Sequence, residues 1–376
     1  MSWPMVKLHD ICRPKQWKTI AASSLLESGY PVYGANGKIG FYSKFTHEFP
    51  TLMITCRGAT CGNVHISEPM AYINGNAMAL DDLDRNKVDI KYLYYFFLKR
   101  GFDDVISGSA QPQITGQGLT KVEIPLPPLL EQKRIAAILD KANDISQKRE
   151  QAIKLADDFL RAKFLEMFGD PVENPKGWKK DKIKKGMLDI TSGWSAIGDN
   201  RSCKPDEFGV LKISSVTSGV FKPEENKIVD SKTIPTSKKL IIPKKGDLLF
   251  SRANTRELVA AICIVPQDYD NLFLSDKLWS IKLNRELLLP EYFLHLIQNE
   301  KMRELLTKQA TGTSGSMLNI SKSKFEETEI IFPGLYAQQK FCDLFRKLMG
   351  WKERLTESRE LTNESFNSLS KQVFLQ

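Results

Sequence analysis

The chain has 376 residues, of which 41% are hydrophobic and 26% are charged, as in ordinary globular proteins. No run approaches the roughly 18 uninterrupted apolar residues that a membrane-spanning helix needs, and no apolar signal segment opens the chain. The net charge of +9 favours an acidic partner, most often a nucleic acid. We therefore expect a cytoplasmic protein of two domains, or at most three, without a zinc set among its scattered cysteines and histidines.

The first 130 residues are rich in turns and predict a mixed α/β module. Apolar runs bounded by Gly, Pro or Asn predict strands at Thr51–Cys56 and Val122–Pro125, and Ile90–Lys99 is a helix candidate. The run from Tyr33 to Gly40 is interpreted as a glycine-flanked loop.

A long helix follows, because Leu130–Phe168 is poor in Gly and Pro and rich in Ala, Leu, Lys and Glu. Gly169 and Pro171 are suited to end it. Steps of four and three residues predict a seam, the line of side chains that faces a partner helix in a coiled coil. The predicted seam comprises Ile138, Ala142, Ile145, Arg149, Ala152, Ala156, Phe159 and Lys163.

The second half is patterned like the first. Its strand candidates are Gly209–Ser214, Leu240–Ile242, Leu248–Ser251, Val259–Val265 and Glu329–Phe332. Pro290 is well placed in the first turn of a helix over Pro290–Lys308. A C-terminal helix has the predicted seam Phe345, Leu348, Lys352, Leu355, Arg359, Thr362, Phe366, Leu369 and Val373.

An internal repeat explains this likeness. A shift of 206 residues aligns Gln113–Lys141 with Asn319–Lys347 without a gap. The order is therefore module, helix, module, helix, and the fold class is α+β with a pseudo-two-fold repeat. We expect the two long helices to pair as an antiparallel coiled coil, because each begins where its own module ends. The alternative is that each helix packs only on its own module.

Polar side chains that can bind DNA bases occur on the predicted loops of both modules. Arg and Lys pair with guanine, and Asn and Gln pair with adenine. The candidates in the first module are Asn36, Lys38, Arg57, Thr60, Gln111 and Gln113, and those in the second are Arg252, Asn254 and Arg256. The alternative for Gln111 and Gln113 is that they cap the strand that follows them. The run Arg252–Arg256 is interpreted as the counterpart of Arg57–Thr60. Five lysines between positions 179 and 185 fit either a phosphate-binding surface or a solvated face.

Motifs for common catalytic chemistry are absent from the sequence, including a P-loop, a dinucleotide-binding loop, a zinc-protease motif and a nucleophile elbow. One degenerate pattern, Pro205–Asp206 followed by Glu225 and Lys227, resembles the Mg²⁺ ligands of a nuclease. A stand-alone DNA-modifying enzyme or nuclease, and a protein-binding scaffold, are therefore the alternatives to a non-catalytic DNA-binding protein.

Three runs resemble the type I restriction–modification specificity subunits over nearly the whole chain. They are Glu123–Asp140 (EIPLPPLLEQKRIAAILD), Met167–Trp178 (MFGDPVENPKGW) and Val32–Gly40 (VYGANGKIG). The second helical region matches less well, since Ile331–Lys340 lacks the usual Pro-Pro and Glu.

The resemblance implies two target-recognition domains, 1–128 and 171–334, and two helical regions, 129–170 and 335–376. It implies a non-catalytic subunit, in a bacterium or archaeon, that reads a split, asymmetric site in double-stranded DNA. The helices would dock two methyltransferase subunits that methylate adenine. The seam residues expected to serve the pairing of the helices or this docking are Ile138, Ala142, Ile145, Phe159, Phe345, Leu348, Leu355 and Leu369. The chain itself would hold no cofactor. S-adenosylmethionine would bind the methyltransferase subunits, and ATP and Mg²⁺ would bind a restriction subunit where one is present.

Overall fold

The computed structural model describes residues 3–108, 111–312 and 317–374. They form two compact units. Unit 1 contains the chain up to Ala152 together with the residues from Leu355 onward, and unit 2 is Ile153–Arg354. In the described part of the chain, no helix is both long enough and apolar enough to cross a membrane.

The module of unit 1 consists of small sheets with short helices. Its strands are β1 (Met5–Lys7), β2 (Arg13–Gln16), β3 (Tyr30–Gly34), β4 (Gly37–Tyr42), β5 (Leu52–Thr55), β6 (Val64–Ile66), β7 (Tyr72–Ile73), β8 (Ala77–Asp81) and β9 (Glu123–Pro125). Its helices are α1 (Ile90–Arg100) and α2 (Gly116–Thr120), followed by the long helix α3 (Leu129–Phe168). An antiparallel sheet has the order β2-β8-β5-β6, a mixed sheet has the order β4-β3-β7, and β1 pairs with β9.

Unit 2 repeats this topology. Its strands are β10 (Lys180–Lys182), β11 (Met187–Ser192), β12 (Phe208–Leu211), β13 (Asn226–Val229), β14 (Leu248–Ser251), β15 (Ala253–Asn254), β16 (Ile262–Ile264), β17 (Leu272–Leu274), β18 (Leu278–Leu283), β19 (Leu318–Asn319) and β20 (Glu329–Ile331). Its helices are α4 (Ser214–Thr217), α5 (Pro290–Gln298), α6 (Glu300–Lys308) and α7 (Lys322–Glu327), followed by the long helix α8 (Leu335–Phe374). The sheets β11-β18-β14-β16 and β13-β12-β17 and the pair β10-β20 match those of unit 1, and β15-β19 is added. The predicted α+β repeat is confirmed.

Some predicted elements are wrong in extent or type. The run from Tyr33 to Gly40 is the β3–β4 hairpin rather than a loop, so Lys38 lies on a strand. Leu240–Ile242 is not a strand, although Ile241 accepts one backbone hydrogen bond from Leu274. Val259–Val265 shortens to β16 because Ala260 has a φ of 65°, which interrupts an extended chain.

The predicted helix over Pro290–Lys308 is two helices, α5 and α6. Asn299 has an extended ψ of 136°, and its side chain accepts a hydrogen bond from the backbone N–H of Met302. Asn is a favoured N-cap because its short side chain replaces the missing backbone acceptor at the start of a helix. Asn299 therefore starts a new helix within a sequence whose apolar pattern continues.

The long helices α3 and α8 run antiparallel within each unit. In unit 1, Arg149 donates to the carbonyl of Ser358 at 2.7 Å, and Ser146 donates to Asn363 at 3.0 Å. In unit 2, Lys352 forms an ion pair with Asp157. The residue numbers of the two helices thus change in opposite directions, as predicted. Each helix has 40 residues, about 60 Å at 1.5 Å per residue.

The predicted seam is wrong at two positions of α3. Ile138 and Phe159 are exposed, and the next residues, Leu139 and Leu160, are buried instead. A strict seven-residue repeat drifts relative to the 3.6 residues per turn of a helix, and the buried face follows the α-helical period at both ends of α3. Elsewhere the predicted seam residues are half-buried or buried, including Ala142, Ile145, Phe345, Leu348, Leu355 and Leu369.

A buried glutamine joins each module to the helix that follows it. The side-chain oxygen of Gln132 accepts from the backbone N–H of Asp89 at 2.9 Å, and its nitrogen donates to the carbonyls of Lys87 and Pro127. In unit 2 the equivalent Gln338 makes the same bonds, to the backbone groups of Leu289, Leu287 and Pro333. The ungapped sequence repeat therefore reflects a repeated hydrogen-bond network.

The last turn of each long helix packs on the module of the other half of the sequence. Phe168, at the end of α3, lies 4.9 Å from the ring of Tyr292 in unit 2. Phe374, at the end of α8, lies 5.3 Å from the ring of Tyr92 in unit 1. Gly169 has a φ of 76°, which favours glycine at the residue after a helix, so the predicted end of α3 is confirmed.

Candidate nucleic-acid interface

In unit 1 the structure places five of the six candidate residues, all except Lys38, beside the carboxyl end of β5. Asn36 is exposed in the β3–β4 turn, and Thr60 donates from its hydroxyl to the neighbouring carbonyl of Ala35 at 3.3 Å. Arg57 forms an isolated antiparallel bridge with Gln113. These contacts join three chain segments that are far apart in sequence.

The side chains of these unit 1 candidates are accessible enough to contact a polyanion. Arg57 and Gln111 are exposed, and Gln113 and Thr60 are half-buried. The backbone N–H of Gly58 donates to the carbonyl of Pro112 at 3.3 Å, which holds the segment of Gln111 beside that of Arg57. Exposed Arg, Gln and Asn side chains on adjacent turns can reach both phosphates and base edges.

Lys38 differs from the other candidates because its charge is compensated within the chain. Its ammonium group lies 3.2 Å from the carboxylate of Glu68, which also accepts from the hydroxyl of Tyr33 at 3.3 Å. The pair is partly exposed, so a DNA phosphate would have to compete with Glu68 for this lysine.

In unit 2 the candidates are not equally available. The Nε of Arg252 donates to the carbonyl of Asp276 at 2.7 Å, and its guanidinium donates to the side chain of Asn319 at 2.8 Å. Asn254 is buried, and its side-chain oxygen accepts from the N–H of Thr255. Arg256 is exposed and lines a separate cleft beside α6. Base contact by these three residues stays a prediction, with Asn254 the least accessible.

The predicted equivalence of Arg57 and Arg252 is wrong by one residue. Cys56 donates from its N–H to the carbonyl of Asn76, and its own carbonyl accepts from Ile114. Arg252 makes the corresponding backbone bonds with Lys277 and Ile320. Arg252 is therefore the counterpart of Cys56. A slip of one residue turns a side chain to the opposite face of a strand, so the two arginines do not occupy equivalent places.

The lysines at 179–185 are largely paired. Glu327 forms ion pairs with Lys182 and Lys184, and these cations lower the pKa of its carboxyl to about 2. Lys185 pairs with Asp181 at 2.6 Å. Of the two interpretations of this run, the structure favours the solvated face.

The nuclease-like pattern does not form a metal site in the described residues. No group of three potential metal-ligating side chains occurs there. Glu225 instead accepts from the hydroxyl of Ser214 at 2.6 Å, and Asn226 is buried with partners in neighbouring loops.

Residues that the sequence did not single out complete the surroundings of Arg252. They are Asn319, Asp276 and Ser195, whose hydroxyl donates to the carboxylate of Asp276. The sequence repeat could have identified Asn319 as a candidate, because it aligns Asn319 with the candidate Gln113. The contact of Ser195 with Asp276 joins two loops that are far apart in the sequence, so no local sequence pattern predicts it.

The repeated α+β modules with long helices define the fold of a two-module recognition protein. The family model for the type I restriction–modification DNA specificity domain matches residues 2–155 and again residues 175–362. The chain belongs to this family.

Known relatives and a solved structure are similar to this chain. It is 23% identical to a putative type I restriction enzyme specificity subunit of Haemophilus influenzae, over 92% of this chain and 87% of that protein. It is 26% identical to the EcoEI specificity subunit of Escherichia coli, over 50% of this chain but only 32% of that protein. The crystal structure of the S subunit from M. genitalium has the same fold, with a TM-score of 0.68, 14% identity, and coverage of 100% and 96% of the two chains.

Proposed function

We propose that this chain is the non-catalytic specificity subunit of a type I restriction–modification complex and that each unit reads one half of a split DNA site. The observation that carries the proposal is the repetition of one sheet topology with different side chains on equivalent edges. Two like modules with unlike surfaces suit two unlike half-sites, whereas a symmetric homodimer suits a palindrome. The family match supports this role.

The proposal includes two methyltransferase subunits as partners in the cytoplasm of a bacterium or archaeon. Exposed apolar side chains recur on α3 and α8 at the repeat distance of 206 residues. Leu130 and Tyr336 are 83% and 76% exposed, and Leu155 and Leu361 are 67% and 64% exposed. Exposed apolar groups on a helix favour a protein contact, and their repetition favours two copies of one partner. S-adenosylmethionine would bind these partners, and ATP and Mg²⁺ would bind a restriction subunit.

The function is tested by sequencing the methylated bases of a host that expresses the chain with its methyltransferase, compared with a host lacking the chain. The expected result is adenine methylation at one split motif that disappears without the chain. Binding of that motif should weaken steeply with salt, by about 0.9 in log K per log unit of salt for each neutralised phosphate. A reconstituted complex that binds no duplex at moderate salt would reject DNA recognition and favour a protein scaffold.

The docking surface is tested with Leu155→Asp and Leu361→Asp, each of which places a charge on an exposed apolar position. Each single variant should lose one of two methyltransferase copies, as measured by the mass of the complex in solution, and the double variant should lose both. Leu188→Asp, an equally exposed position on β11, is the control. Full assembly of the double variant would exclude these positions from the contact.

A further inference from the structure

One loop of unit 2 presents an apolar side chain almost completely to solvent. Ile197 lies between β11 and β12 and is 97% exposed, more than any other large apolar side chain among the described residues. Solvent exposure of a whole isoleucine side chain is unfavourable, because about four apolar carbon groups stay in contact with water instead of being buried. The feature indicates a surface that is covered in a complex.

The residues on both sides of Ile197 are anchored. The N–H of Trp194 donates to the carbonyl of Leu274 at 2.9 Å, and its indole stacks on Phe273 with 6.2 Å between ring centres. On the other side, a Cβ on Gly198 would lie 2.1 Å from the carbonyl oxygen of Ile228, so glycine is needed there. Ile197 is therefore held outward by a loop fixed at two points.

The loop also lies beside the candidate residue Arg252. The hydroxyl of Ser195 donates to the carboxylate of Asp276, and the backbone carbonyl of Asp276 accepts from Arg252. Ser192, at the end of β11, donates to the same carbonyl at 3.1 Å. Ile197 is thus two residues from a hydrogen-bonded group that contains a predicted DNA-binding arginine.

A second loop, residues 230–247 between β13 and β14, supplies positive charge next to the first. Its Ile234 and Leu240 pack with Trp194 and Ala196 on one small core. Three of its exposed lysines, Lys232, Lys238 and Lys239, take part in none of the ion pairs found among the described residues, whereas Lys244 pairs with Asp268 and Asp270. Lysines without an ion-pair partner, on a loop packed against the loop of a protruding apolar side chain, are complementary to a phosphate backbone that flanks an apolar base edge.

We propose that Ile197 contacts the C5-methyl group of a thymine in the half-site read by unit 2, while Lys238 and Lys239 contact flanking phosphates. The thymine methyl is the apolar group that a base pair presents in the major groove, and it is the chemistry that isoleucine can recognise. The inference rests on the proposed function and deepens it by naming a specificity-determining residue. In unit 1 the shorter connection 43–51 occupies the place of 230–247, which would make this contact specific to one half-site.

The test uses the full chain in its methyltransferase complex and a duplex selected from a pool of random DNA. Each thymine of the selected half-sites is replaced in turn by deoxyuridine, which lacks only the methyl group. One replacement, in one half-site, should weaken binding about fourfold, the effect of one buried methyl. Ile197→Ala should weaken binding of the thymine duplex about fivefold to tenfold and abolish its preference over the deoxyuridine duplex.

The control is Leu188→Ala, an exposed apolar residue on β11 outside this loop, which should leave binding unchanged. Lys238→Ala and Lys239→Ala should each lower the salt slope of log K by about 0.9 without changing sequence preference. Full retention of the thymine preference by Ile197→Ala, or a pair of half-sites in which no thymine responds to deoxyuridine, would overturn the inference and leave the proposed function standing. Failure to select any duplex would reject both.

Discussion

Units 1 and 2 keep the same contact at one position while reversing its charges. In unit 1, Lys91 of α1 pairs with Asp140 of α3. In unit 2, the repeat-equivalent residues are Glu291 of α5 and Arg346 of α8, which pair at 2.7 Å. The carboxylates raise the pKa of Lys91 and of Arg346 in the two units. The two units therefore both have an opposite-charge contact between these helices, with the acidic and basic residues exchanged between the helices.

A second position shows a difference with larger consequences. Tyr95 in unit 1 donates from its hydroxyl to Asp140 at 2.7 Å. Its counterpart in unit 2 is His295, whose ring lies 5.0 Å from Phe341 and 5.2 Å from Phe345. Burial lowers the pKa of His295 to about 4. The place that holds a tyrosine in unit 1 therefore holds an imidazole in unit 2 whose pKa is lowered by burial.

The largest expected difference between the units is at the ends of the long helices. Phe168 is fully buried against Phe164, Trp178, Tyr292 and Phe341, so Phe168→Ala should lower the free energy of unfolding of unit 2 by about 4 kcal/mol. Phe374→Ala should cost unit 1 less, because among the described residues the ring of Phe374 contacts two aromatic rings, those of Tyr92 and Phe96. Hydrogen exchange resolved by segment measures each unit separately, and equal losses would contradict the ranking.

For the two buried glutamines we expect equal losses of stability in the two units. Gln132→Leu and Gln338→Leu each remove the side-chain partner of one backbone N–H and two carbonyls, one of them the carbonyl of a buried proline, and each should destabilise its own unit by about 3 kcal/mol. Chemical denaturation followed by segment-resolved exchange provides the measurement. Gln339→Ala, which removes an exposed neighbour, is the matched control and should change little. A large effect in one unit alone would show that the repeat has lost its energetic symmetry.

Acid should weaken unit 2 more than unit 1. The unfolded chain protonates His295 near its ordinary pKa of 6.5, whereas the folded chain does so only near 4. The stability linked to this residue is therefore complete above pH 6.5 and is lost as the pH falls toward 4, by about 3 kcal/mol in total. His295→Phe should remove this part of the pH dependence. The difference between wild type and variant at pH 7 and pH 4.5 measures it, with unit 1 as the internal reference.

The smallest effect is expected for the reversed ion pairs. Lys91→Ala and Arg346→Ala should each cost less than about 1 kcal/mol, because both cations are more than half exposed and water screens them. Thermal unfolding at low and at high salt checks this, and the cost should shrink in high salt for both variants. An effect above about 2 kcal/mol in either unit would mean that the direction of the pair matters after all.

Much of the architecture was predictable because it depends on patterns of residues that are close together in the sequence. The long helices follow from composition and from the stop at Gly169, and the equivalence of Gln132 and Gln338 follows from the ungapped repeat. The candidates Asn36, Arg57, Thr60 and Gln113 are gathered at one edge, which their loop positions suggested. The pairing of Lys38 with Glu68 and the burial of Asn254 were not predictable, since both depend on segments brought together by folding.

Periodicity and motifs carried by contiguous residues were enough to predict the number of modules, their order, the two helices and the family. Long-range packing was needed to establish the β3–β4 hairpin, the break at Asn299 and the equivalence of Arg252 with Cys56 rather than with Arg57. Strand pairing joins residues far apart in the chain, and its period of two turns an error of one residue into the opposite face of the sheet. The same long-range packing exposes Ile197 near the hydrogen-bonded group of Arg252, on a surface that no local sequence pattern predicts.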